Sequence, residues 1–196
     1  MKTDRTLPSS RLALEPIEGR HGELLFDVLQ DASIYAYMPT EPPGSRSALR
    51  ARYEWLAQRH SPDGLETWLN WAIRLESTDV YIGTVQATIR ADATALLAYE
   101  LGVAYRGAGY ATEACRAVMR ELVDELEVRE IRAFVDTRNE RSIRLLERLG
   151  FGRTAHILQA DYFKGASSDE YMYSWAPSSA IHFREDGHSA GEGENR

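Results

Sequence analysis

The chain has little cysteine, a deficit of positive charge and no long apolar run. Among 196 residues the only cysteine is Cys115, so no disulfide can form within the chain. Acidic residues outnumber basic ones, 30 to 23, which gives a formal net charge of −7. An acidic chain does not neutralise a nucleic-acid backbone, so we expect no nucleic-acid partner. Charges interrupt every apolar run before it reaches the length of a membrane helix, so we also expect no membrane partner.

The histidine spacing and the N-terminal residues argue against a metal site and against secretion. The five histidines show no close metal-ligand spacing, so we expect no bound metal. The first residues carry no apolar stretch of signal-peptide length, which together with the lone cysteine predicts a cytoplasmic protein. A small molecule or a peptide is therefore the expected partner.

The composition is otherwise that of a globular domain. Hydrophobic residues make up 43% of the chain and charged residues 27%, which suffices to bury a core. Residues 1–10 are predicted to be a flexible N-terminus, and residues 177–196, rich in Ser, Gly, Glu and His, a disordered polar tail. Residues 11–176 form the single predicted domain.

Hydrophobic spacing within that domain predicts both helices and strands. Helices are expected after a glycine-containing loop that ends near Gly109 and again from Asn139 to Leu149. A polar-aromatic loop is expected over residues 161–164. The predicted strands cover residues 11–17, 67–75, 80–90, 95–101, 130–136, 153–159 and 170–175. This order predicts a mixed α/β fold.

The glycine-containing loop has the composition of an anion site. It is Arg106-Gly107-Ala108-Gly109-Tyr110-Ala111-Thr112, and it leads into a helix. The first N–H groups of a helix have no intrahelical acceptor, and the helix dipole places partial positive charge there. Glycines remove Cβ atoms that would keep a phosphate away, although a tight strand-to-helix turn explains them as well. The loop lacks both the P-loop ending and the third glycine of the dinucleotide motif.

This loop is similar to the R/Q-x-x-G-x-G/A signature of the GNAT acyltransferase superfamily. Residues 139–151 resemble a second motif of that family, N-x-x-S/A-x-x-L-x-x-x-L-G-F. The sequence Gly-Tyr-Ala-Thr-Glu-Ala in the first motif, together with Asn-x-x-Ser in the second, resembles the motifs of the branch that contains ribosomal-protein N-terminal acetyltransferases of the RimJ/RimL type. The resemblance covers about residues 11–176.

The resemblance implies a splayed, mostly antiparallel, seven-stranded sheet flanked by about four helices. Acetyl-CoA, without a metal, would lie between the strand that ends near Leu101 and the strand that ends near Asp136. Backbone at the first strand end would pair with the pantetheine, and the glycine-containing loop would hold the pyrophosphate. The implied cofactor-binding residues are Leu101, Gly102, Val103, Arg106, Gly107, Ala108, Gly109, Tyr110, Ala111, Thr112, Asn139 and Ser142.

The catalytic residues depart from the family pattern. The family position of a thiolate-protonating tyrosine holds Leu146, so Ser142, which shares a helix face with Asn139, becomes the candidate acid. A family glutamate position holds Leu96, and Glu100, shifted along the same strand, becomes the candidate base. The alternatives are a capping role for Ser142 and an exposed structural role for Glu100.

The implied activity is direct transfer of an acetyl group from acetyl-CoA to a primary amine, either a protein N-terminus or a small cationic amine. Tyr37 and Tyr162 are the candidate acceptor-binding residues, and a homodimer is a further expectation because dimers are common in this branch. The displaced acid and base leave a CoA-binding module without turnover as an alternative. A Rossmann-like nucleotide binder is disfavoured because the chain has no regular βαβαβ series.

Overall fold

The computed structural model describes residues 5–177, which form eight strands and four α-helices. The strands are β1 (Leu7–Pro8), β2 (Leu12–Pro16), β3 (Glu66–Leu75), β4 (Tyr81–Arg90), β5 (Thr94–Leu101), β6 (Glu130–Asp136), β7 (Gly152–Phe163) and β8 (Ala166–Trp175). The helices are α1 (His21–Leu25), α2 (Arg46–Leu56), α3 (Tyr110–Asp124) and α4 (Glu140–Arg148).

All eight strands belong to one sheet, in the order β1-β2-β3-β4-β5-β6-β8-β7. Only β5 and β6 pair in parallel, and the other neighbouring strands of the described chain are antiparallel. The predicted mixed α/β class and mostly antiparallel sheet are confirmed. The prediction had seven strands, and the additional one is β1, whose Leu7 is buried and pairs with Leu14. This strand lies within the segment expected to be flexible.

The C-terminal hairpin is longer than the sequence analysis predicted. Residues 161–163, expected in a loop, belong to β7, so that expectation is wrong. The turn consists of Lys164 and Gly165, with φ values of 52° and 77°. Two consecutive residues with positive φ form a two-residue turn that matches the twist of the flanking strands, so the strands continue almost to their junction. The predicted polar tail, residues 177–196, lies outside the described residues apart from Pro177.

The core lies on both faces of the sheet. Consecutive strand residues point to opposite faces, and on β3 Trp71 and Ile73 pack into the larger cluster while Ala72 packs into the smaller one. The larger cluster contains the buried faces of α3 and α4, and the smaller one those of α1 and α2. Cys115 of α3 is fully buried, and burial raises the pKa of its thiol to about 12, so this side chain serves packing.

The sheet opens between two neighbouring strands, β5 and β6. Strand β5 pairs with β6 only through Thr94–Leu96 against Glu130–Arg132. Beyond that point β5 continues to Leu101 and β6 to Asp136 without pairing to each other. The predicted splay is therefore present in the fold, and it leaves one edge of each strand available within the sheet.

Candidate active site

The glycine-containing loop presents free backbone donors at the start of α3. Gly107 and Gly109 have φ values of 82° and 85°, a left-handed conformation that glycine adopts without strain. Gly109 is the N-cap residue of α3, and as a glycine it has no side chain to accept a hydrogen bond from the helix. The first N–H of this segment that donates a backbone hydrogen bond is that of Glu113, to the Gly109 carbonyl. Within the described chain, the N–H groups of residues 107–112 donate no hydrogen bond, so six donors are free at the start of one helix.

Positive charge lies beside these donors. Burial and the neighbouring Arg141 guanidinium lower the pKa of Arg106. Neither arginine forms an ion pair with another described residue, although Arg106 contacts the Ser33 hydroxyl at 3.4 Å. Arg11 braces the loop instead, because it donates to the Ala108 carbonyl at 3.0 Å and to the Glu113 carboxylate at 2.7 Å. The free donors and two unpaired guanidinium groups suit a pyrophosphate.

The backbone at the end of β5 is only partly available. The Gly102 N–H donates to the Ile82 carbonyl at 2.9 Å, so it points toward β4 and away from the splay. Backbone groups alternate in direction along an antiparallel ladder, so Tyr99 and Leu101 turn their N–H and C=O groups toward the open side. Val103 is exposed and begins a short 3₁₀ helix, Val103–Tyr105. Of the three residues expected to pair with pantetheine, Leu101 has the suitable backbone direction, whereas the N–H of Gly102 is already used.

The start of α4 carries a hydrogen-bonded trio. Asn139 is the N-cap, and its side-chain oxygen accepts a hydrogen bond from the Ser142 N–H at 3.2 Å. The Ser142 hydroxyl lies 2.9 Å from the Tyr99 hydroxyl, which comes from β5 across the splay. Burial raises the pKa of Tyr99 to about 12. The structure brings Asn139 and Ser142 together as predicted and adds Tyr99, which the sequence analysis missed.

A signal for Tyr99 exists in the sequence. Tyr99 and Glu100 are consecutive on a strand, so their side chains point to opposite faces of the sheet. The α4 motif covers one of those faces, and the tyrosine is the polar residue that β5 presents to it. Knowledge of which face α4 covers was needed to use that signal.

Glu100 lines a cavity of about 150 Å³ on the other face of the sheet. The cavity lies between α2 and strands β3 to β5. Glu100 accepts no hydrogen bond from another described residue; burial raises the pKa of its carboxyl, and the Arg52 guanidinium partly opposes that rise. The cavity is lined by Ile17, Leu29, Tyr35, Pro43, Ala48, Leu49, Arg52, Tyr53, Leu56, Asn70, Thr84, Gln86 and Glu100.

The two tyrosines predicted to bind the acceptor do not line this cavity. Tyr37 is 38% exposed and lies beneath the Arg138 guanidinium, whose carbon is 5.8 Å from the ring centroid. Tyr162 is 71% exposed on β7. Tyr35 lines the cavity instead, and Lys164 of the β7–β8 turn donates to its carbonyl at 2.5 Å. The hairpin thereby holds the segment beside the cavity.

Residues 5–177 contain neither a metal-binding cluster nor a membrane-spanning helix. No group of three or more histidine, cysteine or acidic residues in that range is arranged to hold a metal ion. No helix in the same range combines the length and apolar character needed to cross a membrane.

Residues 11–152 match the family model described as an acetyltransferase (GNAT) domain. The chain belongs to the GNAT acetyltransferase family. This GNAT protein is similar to p20 of Bacillus licheniformis, an uncharacterized N-acetyltransferase, with 28% identity over 172 residues that cover 86% of this chain and 94% of p20. The predicted family is confirmed, and the protein is an acyltransferase.

Solved structures share the fold over most of the chain. A GNAT-family acetyltransferase from Bacillus anthracis superposes with a TM-score of 0.75 at 18% identity, covering 88% of this chain and 98% of that one. RimL, a ribosomal L7/L12 alpha-N-protein acetyltransferase in complex with coenzyme A, gives a TM-score of 0.78 at 20% identity, covering 88% and 98%. Likeness at these identities establishes the common fold.

Proposed function

We propose that this GNAT protein transfers the acetyl group of acetyl-CoA directly to a primary amine, either a protein N-terminus or a small amine. The observation that carries the proposal is the splay, because phosphate-binding donors, a hydroxyl pair and a carboxylate all border it. Six free N–H groups lie at the α3 start, Tyr99 and Ser142 lie on the α4 face, and Glu100 lies on the α2 face.

Acetyl-CoA fits the residues present. The donors of residues 107–112, with Arg106 and Arg141, would hold the pyrophosphate. The Leu101 carbonyl on the exposed edge of β5 would accept a hydrogen bond from a pantetheine amide N–H, as in pairing with one more strand. The thioester would then lie near the end of β5. The coenzyme A bound to RimL, a protein of the same fold, supports this placement.

The two proton transfers of the reaction take place on opposite faces of β5. On the α2 face, Glu100 accepts the proton of the attacking amine, whose nitrogen forms a bond to the thioester carbonyl carbon. The N–H of Leu101 stabilises the carbonyl oxygen as it gains negative charge. When the carbon–sulfur bond breaks, the thiolate takes a proton from Ser142, which Tyr99 can replenish through their 2.9 Å contact. Amide and free thiol are the products.

The acceptor proposal has two further supports. RimL is named for acetylation of a protein N-terminus, and it shares this fold. A net charge of −7 attracts amines, which are cationic before they lose a proton to the base. Both supports favour an amine as the acceptor.

The test is thiol release from acetyl-CoA in the presence of a panel of amines. The expected result is amine-dependent release, with mass spectrometry showing one acetyl group added to the acceptor. Glu100→Gln, which keeps the side-chain size, should bind CoA normally and lose amine-dependent release. A protein that binds CoA tightly but transfers to no peptide or small amine would instead be a CoA-binding module.

A further inference from the structure

The cavity beside Glu100 is small. At about 150 Å³ it has the size of an engineered protein cavity that admits one benzene ring. Pockets for drug-sized ligands are several-fold larger. A group of roughly six heavy atoms fits inside it, whereas a polyamine or an aminoglycoside would leave most of its atoms outside.

The Tyr53 hydroxyl is a buried polar group of the cavity wall without a hydrogen-bond partner among the described residues. Tyr53 as a whole is 4% exposed. Burial raises the pKa of Tyr53 above its ordinary value, so this hydroxyl keeps its proton. The neighbouring Tyr35 hydroxyl already donates to the Leu29 carbonyl at 3.0 Å. Buried hydrogen-bond donors almost always have an acceptor. The Tyr53 hydroxyl is therefore able to donate a hydrogen bond to an acceptor atom of a ligand bound in the cavity.

Two opposite charges border the same space. Glu100 and Arg52 both line the cavity, and each influences the ionisation of the groups around it. Arg52 is exposed and forms no close ion pair with another residue of the described chain; its guanidinium lowers the pKa of Glu100 and is also free to meet an anionic group of a ligand. Asn70, Thr84 and Gln86 add neutral polar groups to the wall. A ligand matched to this wall carries both an amine, for Glu100, and an oxygen function, for Tyr53 and Arg52.

We infer that the acceptor is a compact α-amino acid unit, with its amine toward Glu100 and its carboxylate or carbonyl oxygen held by Tyr53 and Arg52. The inference rests on the proposed amine acetylation and narrows it. Such a unit occurs as a free amino acid and as the first residue of a peptide. Free amino acids engage Arg52 through a full negative charge, and peptides only through a carbonyl. Tyr53 is a specificity-determining residue for both.

The test compares alanine, alaninamide, an Ala-Ala dipeptide, propylamine and spermidine as acceptors for the full-length protein. Tyr53→Phe removes one oxygen atom from the cavity, and Tyr171→Phe on β8 is the matched control. We expect Tyr53→Phe to raise KM for alanine and its derivatives by about 10- to 100-fold and to leave KM for propylamine and the CoA affinity unchanged. Arg52→Gln should raise KM for alanine more than for alaninamide or the dipeptide.

Several results would overturn the inference. Spermidine or propylamine as a better acceptor than the alanine series would do so, and so would an unchanged KM for all alanine acceptors in Tyr53→Phe. Calorimetry of alanine binding to the CoA-loaded protein separates this inference from the proposed function. Binding that depends on Tyr53 without any acetyl transfer would overturn the proposed reaction and leave the ligand class standing. Absence of alanine binding would overturn this inference alone, and absence of transfer to every peptide and small amine tested would overturn the proposed function as well.

Discussion

Replacement of Gly109 by alanine separates the two roles of the glycine-containing loop, which are to turn the chain and to hold phosphate. Gly109 has a φ of 85°, and a left-handed conformation costs an L-residue about 1–2 kcal/mol. A Cβ at this position would meet its nearest neighbour, the Arg11 Nη2 atom, at 3.5 Å, which is an ordinary contact. The variant should therefore fold, with a free energy of unfolding lower by about 1 kcal/mol.

Coenzyme A binding should suffer more than stability does. Relief of the strain rotates the backbone and redirects the N–H groups at the α3 start, and one lost hydrogen bond to a charged phosphate is worth about 1.5–3 kcal/mol. The dissociation constant for CoA should rise by roughly 10- to 150-fold.

A matched control exists at Gly64, whose φ is 73° and which has open space at the Cβ position. Gly64→Ala should lose similar stability in denaturant unfolding and keep wild-type CoA affinity in calorimetry. If a folded Gly109→Ala protein also binds CoA with wild-type affinity, the loop donors do not hold the phosphates.

Three further predictions concern the splay and its border. We expect kcat to fall by about 10- to 1,000-fold, at unchanged CoA affinity, in each of the variants Ser142→Ala and Tyr99→Phe. The double variant should be no slower than the slower single variant. Full turnover in either single variant would show that the two hydroxyl groups do not donate the proton together. Because the pKa of Glu100 is raised and the base acts in its ionised form, kcat/KM should increase as the pH rises through that pKa. The same increase of kcat/KM with pH in Glu100→Gln would show that another group titrates. Burial acts to raise the pKa of Asp136, but hydrogen bonds from Arg138 and Ser168 outweigh burial and lower this pKa from 3.8 to about 2. The ionised Asp136 carboxylate therefore stabilises the fold fully above its ordinary pKa, and this stabilisation disappears as the pH falls through about 2. Asp136→Asn should therefore lower the free energy of unfolding at pH 7 by about 2 kcal/mol and by much less at pH 2, and equal losses at both pH values would refute this account.

Features set by neighbouring residues were predictable from the sequence alone. The β3–β4 hairpin follows from two alternating runs and a short polar connection, and its strands lie within a residue or two of the predicted bounds. The glycines that start α3 and Asn139 that caps α4 act through atoms only a few residues away. Such local patterns, together with two ordered motifs, were sufficient to identify the family.

Contacts between distant segments were decided by the tertiary structure. Tyr99 and Ser142 are separated by 43 residues and meet only because β5 and α4 lie on either side of the splay. The cavity forms only where α2 packs over β3, β4 and β5, which brings Tyr53 and Glu100 to the same space; Tyr37 and Tyr162, which lie on other segments, are not among its lining residues. Residue types and spacing specify what a segment can form; which side chains share a site depends on strand order, register and the face that each helix covers, and those follow from burial of the whole core at once.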